Sequence, residues 1–231
     1  ATMPTRYSTA TVPVPTAVSA AAAAATLLAL AAAPAAQPAL SPFAASMSHS
    51  SRLNSHTWVA PISAAGVRWV RGFCSTGSIS PEQGTYDWTG CDTYVQRCAD
   101  NNLNVVAMVN AVPGWISSEL EFPVADLEGY KEVVGAMVNR YKDRVKYWEV
   151  WNEPPNFCHT DSCTPENYAR TVAAVYDAAR EADPTCKVGL AAKSNFTCWL
   201  EKAIIAGAAD RFDFVTLHPY EILGMSIGND F

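Results

Sequence analysis

The chain has 231 residues, and 22 Asp and Glu outweigh 16 Lys and Arg to give a formal net charge of −6. That balance, with no basic stripe and no glycine-rich loop to cradle phosphate, argues against a nucleic-acid partner. Apolar residues make up 49% of the sequence, enough for one domain with a substantial core.

Residues 1–36 have the layout of a secretory signal peptide. Met3 is the expected start, Arg6 the single basic residue, "AVSAAAAAATLLALAAAPAA" the apolar run and Ala33-Pro34-Ala35 the small-x-small cleavage pattern. A retained membrane anchor is the alternative, because roughly 17–25 apolar residues can span a bilayer. A run dominated by alanine is only weakly apolar, which favours cleavage and a secreted product with no membrane contact afterwards. Residues 37–56, rich in Ser, Ala and Pro, read as a linker, and 57–231 as the folded domain.

From Gly66 onward two periods alternate. Short apolar runs, "VRWVRGF" (67–73), "LNVVAMVN" (103–110), "VKYWEVW" (145–151), "KVGLAA" (187–192) and "FDFVTLH" (212–218), suit strands buried on both faces of a parallel sheet. Between them lie helical patterns at about 90–101, from Leu127 to Tyr141, at 165–182 and at about 198–208. Thr164 is placed to cap the third of these, with Pro165 at its first position and Pro184 at its stop. A sixth strand is expected in the irregular stretch 42–60.

Strands separated by single helices make βαβ units, and these close into a (β/α)8 barrel or lie in an open doubly wound sheet. No glycine fingerprint follows the first clear strand, so the α/β class is read as a (β/α)8 TIM barrel. A barrel needs about 250 residues. The chain is therefore expected to hold a partial barrel, cut short after about the sixth strand.

Seven cysteines, at 74, 91, 98, 158, 163, 186 and 198, are many for a cytosolic enzyme and leave at least one without an intrachain partner. "CHTDSC" (158–163) can be drawn as a metal site or as a short-loop disulfide. With no second Cys/His pair at ligand spacing, the disulfide is the expectation, and neither a metal nor an organic cofactor is implied.

Barrel active sites are built at the carboxyl ends of the strands. Reading those ends gives Arg71, then Asn110 with "PGW" ending at Trp115, then Asn152-Glu153, then Lys193-Ser194-Asn195, then His218-Pro219-Tyr220-Glu221. A glutamate at a rigid strand end beside Trp151 is placed to be partly desolvated and suits a general acid, and Pro154 turns the chain sharply after it. Alternation places Glu149, Trp151 and Glu153 on one side of the strand. Inside a barrel Glu149 then needs a cationic partner, Arg71 or Lys193.

"WNEP" at a strand end, "VR" after "AAG", "P-x-W" after the next strand and "HPY" further on resemble glycoside hydrolase clan A, over about residues 60–221. The style of "YWEVWNEPPN" and "GTYDW" looks closest to family 39 or its cellulase-like neighbours. The resemblance implies retaining hydrolysis of a glycoside or polysaccharide, with Glu153 as acid/base. It places Asn152 on the hydroxyl next to the reacting carbon, and Arg71, His218 and Tyr220 around the sugar. Trp115 and Asn110 complete the expected substrate-binding set, Asn110 standing where many clan members have a histidine. Core packing is the competing reading for Trp115, Trp151, Tyr220 and His218, and a structural ion pair the competing reading for Arg71. In the clan the nucleophile comes from the seventh strand, so it is expected beyond this chain's last residue and the fragment alone is expected to be inactive. The rival reading is a carbohydrate-binding barrel without catalysis.

Overall fold

A computed structural model describes residues 44–46, 57–119, 121–156, 158–193 and 197–219. The expected signal peptide, and the expected site residue Tyr220, lie outside the described residues. The elements in chain order are β1 (Ala44–Ser46), α1 (Val59–Ala64), β2 (Trp69–Arg71), α2 (Thr76–Ile79), α3 (Thr89–Asp100), β3 (Asn104–Val109) and α4 (Leu127–Tyr141). They continue with β4 (Tyr147–Val150), α5 (Pro165–Ala182), β5 (Lys187–Ala191), α6 (Thr197–Ala203) and β6 (Phe214–Thr216).

The six strands form one sheet in the order β1-β2-β3-β4-β5-β6, every neighbouring pair parallel. A doubly wound sheet reverses its strand order at a switch point, whereas a barrel keeps sequence order. The topology is that of a (β/α) barrel. Strand β1 falls within the stretch read as linker, where a sixth strand was expected.

Alternation divides the strand residues into two sets. Val70, Trp148, Val150, Val188 and Leu190 are fully buried on the helical side. They meet Tyr130, Val134, Met137 and Val138 of α4 and Tyr168, Val172, Val175 and Ala179 of α5, all likewise buried. These are the helical faces that the 3.6-residue period marked out. Each large side chain buried there contributes about 1.5–3 kcal/mol.

The other side is layered, as in a barrel interior. Trp69 meets Tyr147 edge-on at 5.1 Å, and Tyr147 meets Phe214 at 5.9 Å. The Phe214 ring lies so close over Gly189 that any Cβ there would clash with it. One layer nearer the carboxyl ends stand Arg71, Glu149 and Thr216, a polar layer described below.

Thr164 caps α5 as expected, accepting a hydrogen bond from the Asn167 amide at 3.2 Å, and Asp126 caps α4 through the Gly129 amide at 2.9 Å. The helix expected over 198–208 is shorter. After Ala203 the chain passes into one wide turn, Ile204–Ala208, where Gly207 takes φ 129°. A left-handed residue cannot continue an α-helix, and glycine adopts that conformation without a steric cost. The one-turn helix α2 escaped notice because four residues carry no period.

At the amino ends of the strands two aspartates tie helices to the sheet. Asp213 takes Arg180 on both oxygens (2.7 and 2.8 Å), Lys187 at 3.2 Å and the Val188 amide at 2.9 Å. Asp183 takes Lys146 at 2.7 Å and the Thr185 hydroxyl at 2.7 Å. Burial pushes both carboxyls up, but the hydrogen bonds and cations outweigh it and hold both below the ordinary value of 3.8. A folded-state value below the unfolded one adds stability that is present above 3.8 and lost as pH falls through the lowered value. Urea midpoints are expected to stay level above about pH 5 and to drop below about pH 4. Asp213→Asn should flatten that drop, and an unchanged acid limb in the variant would refute the assignment.

Candidate active site

Strand β4 ends at Val150 because the next residues leave extended geometry. Trp151 takes φ 72° and Glu153 φ 48°, both left-handed, a conformation costing non-glycine residues about 1–3 kcal/mol each. Surrounding contacts hold them there. The Trp151 amide donates to the Val109 carbonyl at 2.8 Å, and its indole Nε1 donates to the Asn156 carbonyl at 3.3 Å. The indole, 2% exposed, packs edge-on against Phe122 at 5.1 Å, and Phe122 packs against Tyr168 of α5 at 5.4 Å. This corrects the alternation reading. Trp151 does not share a side with Glu149, because the left-handed turn sends its ring toward the helical layer.

Glu149 does point into the barrel interior. Its side chain is 0% exposed and is bound by Arg71 through Nε at 2.5 Å and Nη2 at 3.0 Å, and by the Thr216 hydroxyl. Arg71 is the partner that a buried carboxylate there required. Arg71 Nη2 also donates to Asn152 Oδ1 at 2.9 Å. A guanidinium offers only donors, so the Asn152 oxygen must face it and the Asn152 Nδ2 group is directed elsewhere.

Glu153 and His218, taken from strand ends 65 residues apart, are brought into contact, with His218 Nδ1 at 2.5 Å from Glu153 Oε1. Their side chains are 18% and 15% exposed, enclosed yet reachable. Glu153 also accepts from Asn156, at its backbone carbonyl from the amide (2.6 Å) and at Oε2 from the side chain (3.4 Å). The contact joins a carboxyl group to an imidazole, two kinds of group that can exchange a proton.

Other expected residues stand apart from this pair. Trp115 donates to the Ser80 carbonyl at 3.2 Å and lies against Gly129 at the start of α4, a packing position. The Asn110 carbonyl receives the Thr76 amide at 3.1 Å and so anchors α2. Thr216 and Asn156 were missed. Each had a signal: Thr216 lies two residues before His218 on the same face of its strand, and Asn156 follows Glu153 by a turn's length.

Cys158 and Cys163 form the expected disulfide in the loop after Glu153, and Cys74 joins Cys91, tying the end of β2 to α3. Cys98 and Cys186 are buried free thiols and Cys198 an exposed one. Among the described residues no group of three or more His, Cys, Asp or Glu is placed to hold a metal ion, and no helix is long and apolar enough to cross a membrane.

The family model for glycosyl hydrolase family 10 matches residues 74–191, a little over half of the chain. The chain belongs to glycosyl hydrolase family 10. Within this family-10 chain the matched segment runs from the end of β2 to the end of β5 and includes Asn152 and Glu153. Among solved structures, a family 39 glycoside hydrolase from the gut symbiont Bacteroides cellulosilyticus WH2 is similar with TM-score 0.61 at 17% identity, over 75% of this chain and 37% of that one. The exo-β-1,4-mannosidase Op5Man5 from Opitutaceae bacterium strain TAV5 gives TM-score 0.53 at 15% identity, over 65% and 32%. A family 1 β-glucosidase from Thermotoga maritima gives 0.51 at 18%, over 62% and 37%. At these identities the likeness establishes the barrel fold, and this chain spans about a third of the length of each. The clan A glycosidase class read from the strand ends is the class found.

Proposed function

We propose that the protein hydrolyses O-glycosidic bonds in a glycoside or polysaccharide by a retaining, two-carboxylate mechanism, with Glu153 as acid/base. The observation that carries this reading is the Glu153–His218 contact at the carboxyl ends of β4 and β6, in a chain of glycosyl hydrolase family 10. Glu153 gives its proton to the leaving oxygen as the glycosidic bond breaks. A nucleophilic carboxylate takes the sugar as a glycosyl ester. Among the described residues no strand end offers a second free carboxylate, since Glu149 is committed to Arg71 and Thr216, and the clan A resemblance assigns the nucleophile to a seventh strand. Loss of the nucleophile's charge on esterification lets Glu153, now ionised, take a proton from the attacking water. His218 holds the other end of that proton's path.

Asn152 positions the substrate. With its oxygen held by Arg71, its Nδ2 group donates to the hydroxyl beside the reacting carbon. Arg71 and Glu149 then act as the rigid floor beneath Asn152. Two disulfides and the leader sequence support an exported enzyme. The test is product stereochemistry, followed by proton NMR on a chain that carries all eight barrel strands. The first-formed sugar should have the anomeric configuration of the substrate; an inverted product would remove the two-step mechanism.

A further inference from the structure

Glu121 lies in the loop between β3 and α4, outside every motif that pointed to the site. We infer that Glu121, with its neighbour Phe122, is a positioning residue that sets the place of Glu153. This rests on the reading of Glu153 as acid/base.

The loop from β4 to α5 carries Glu153 at its start and the Cys158–Cys163 disulfide farther on. Two side chains that are adjacent in sequence grip it at both ends. Phe122, 0% exposed, lies against Trp151, two residues before Glu153. Glu121 reaches the far end, where its Oε2 accepts from the Thr160 hydroxyl at 3.0 Å and the Ser162 hydroxyl at 2.9 Å. Its Oε1 accepts from Ser117 in its own loop at 2.6 Å. Hydroxyl donors, Ser117 first and Ser162 next, hold the Glu121 carboxyl below the usual value, so at neutral pH it is the anion that takes all three. The Ser162 amide donates to the Thr160 hydroxyl oxygen at 3.2 Å, and the Ser162 carbonyl receives the Asn167 side chain of α5 at 2.9 Å. The clamp therefore ties the acid/base loop to the β3–α4 loop on one side and to α5 on the other. Left-handed Trp151 and Glu153 need such restraint to persist.

The test uses the 231-residue chain and two readouts. One is exchange with water of a proton on the His218–Glu153 pair, read by NMR; the other is the rate at which dithiothreitol reduces Cys158–Cys163. Glu121→Ala should speed both by about tenfold, as loss of a charge-assisted hydrogen bond implies, with Cys74–Cys91 reduced at an unchanged rate. Ser162→Ala, which removes one donor and leaves the core alone, should move both readouts the same way by less. Unchanged proton exchange in both variants would overturn the proposal, whatever the disulfide does, because a role confined to loop stability moves only the second readout. If Glu153→Gln in a chain carrying all eight strands keeps full turnover on an unactivated glycoside, while Glu121→Ala in the 231-residue chain still frees the proton, the acid/base reading falls and the clamp stands.

Discussion

Arg71→Met is expected to destabilise the protein by about 3–5 kcal/mol, the cost of leaving a buried charge without its partner. Glu149 is fully enclosed and receives two of its three hydrogen bonds from Arg71, the third coming from Thr216. Methionine fills much of the arginine's volume but offers no donor, so the carboxylate keeps a single hydroxyl in surroundings that cannot solvate it. Removing both partners is a different experiment. Arg71→Met with Glu149→Leu leaves no buried charge and should recover most of the loss, since a buried ion pair is often no more stable than apolar residues of similar size. Urea denaturation of the two single variants and the double variant checks this, provided the m-values agree. A single-variant loss below about 1 kcal/mol would mean that the pair behaves as a surface salt bridge. The double variant also loses the donor that orients Asn152, so its restored stability should not bring restored activity.

The same layer shows how far the sequence could be read. Strands β2 to β5 were legible because burial leaves near-continuous apolar runs, β6 by a similar run although its Val215 is exposed, and α4 and α5 because each buries one face. Glu149 was legible as an interior acid in need of a cation, since burial of a carboxylate has few solutions. Trp151 was misplaced because a period of two assumes extended backbone, and nothing in "WNEP" announces a left-handed tryptophan. Strand β1, Ala-Ala-Ser, carries no apolar signal at all; its partner β2 defines it. Glu121 was invisible for another reason. Its partners Ser117, Thr160 and Ser162 offer hydroxyls, which give no pattern in sequence, and the last two lie 39 and 41 residues away along the chain.

Glu153→Gln is expected to lower turnover by about 10²–10⁴-fold on glycosides whose leaving group must be protonated. Glutamine keeps the size of the side chain and its place beside His218 and Asn156, so the fold and substrate binding should survive. What it removes is a side chain able to carry a proton to the leaving group. The leaving group then decides the outcome. An alkoxide needs that proton and suffers the full loss in the first step, whereas a dinitrophenolate leaves unaided, so the glycosyl ester still forms. Water then meets the ester without a base to deprotonate it, and the intermediate accumulates as a burst. Azide arrives already ionised and needs no base, so it should restore turnover of the activated substrate and yield a glycosyl azide of retained configuration. The measurement is steady-state and burst kinetics of the two substrate types with and without azide, on a chain carrying all eight strands. Equal losses on both substrates with no response to azide would place Glu153 in substrate binding. Undiminished hydrolysis of the unactivated glycoside would remove it from the chemistry altogether.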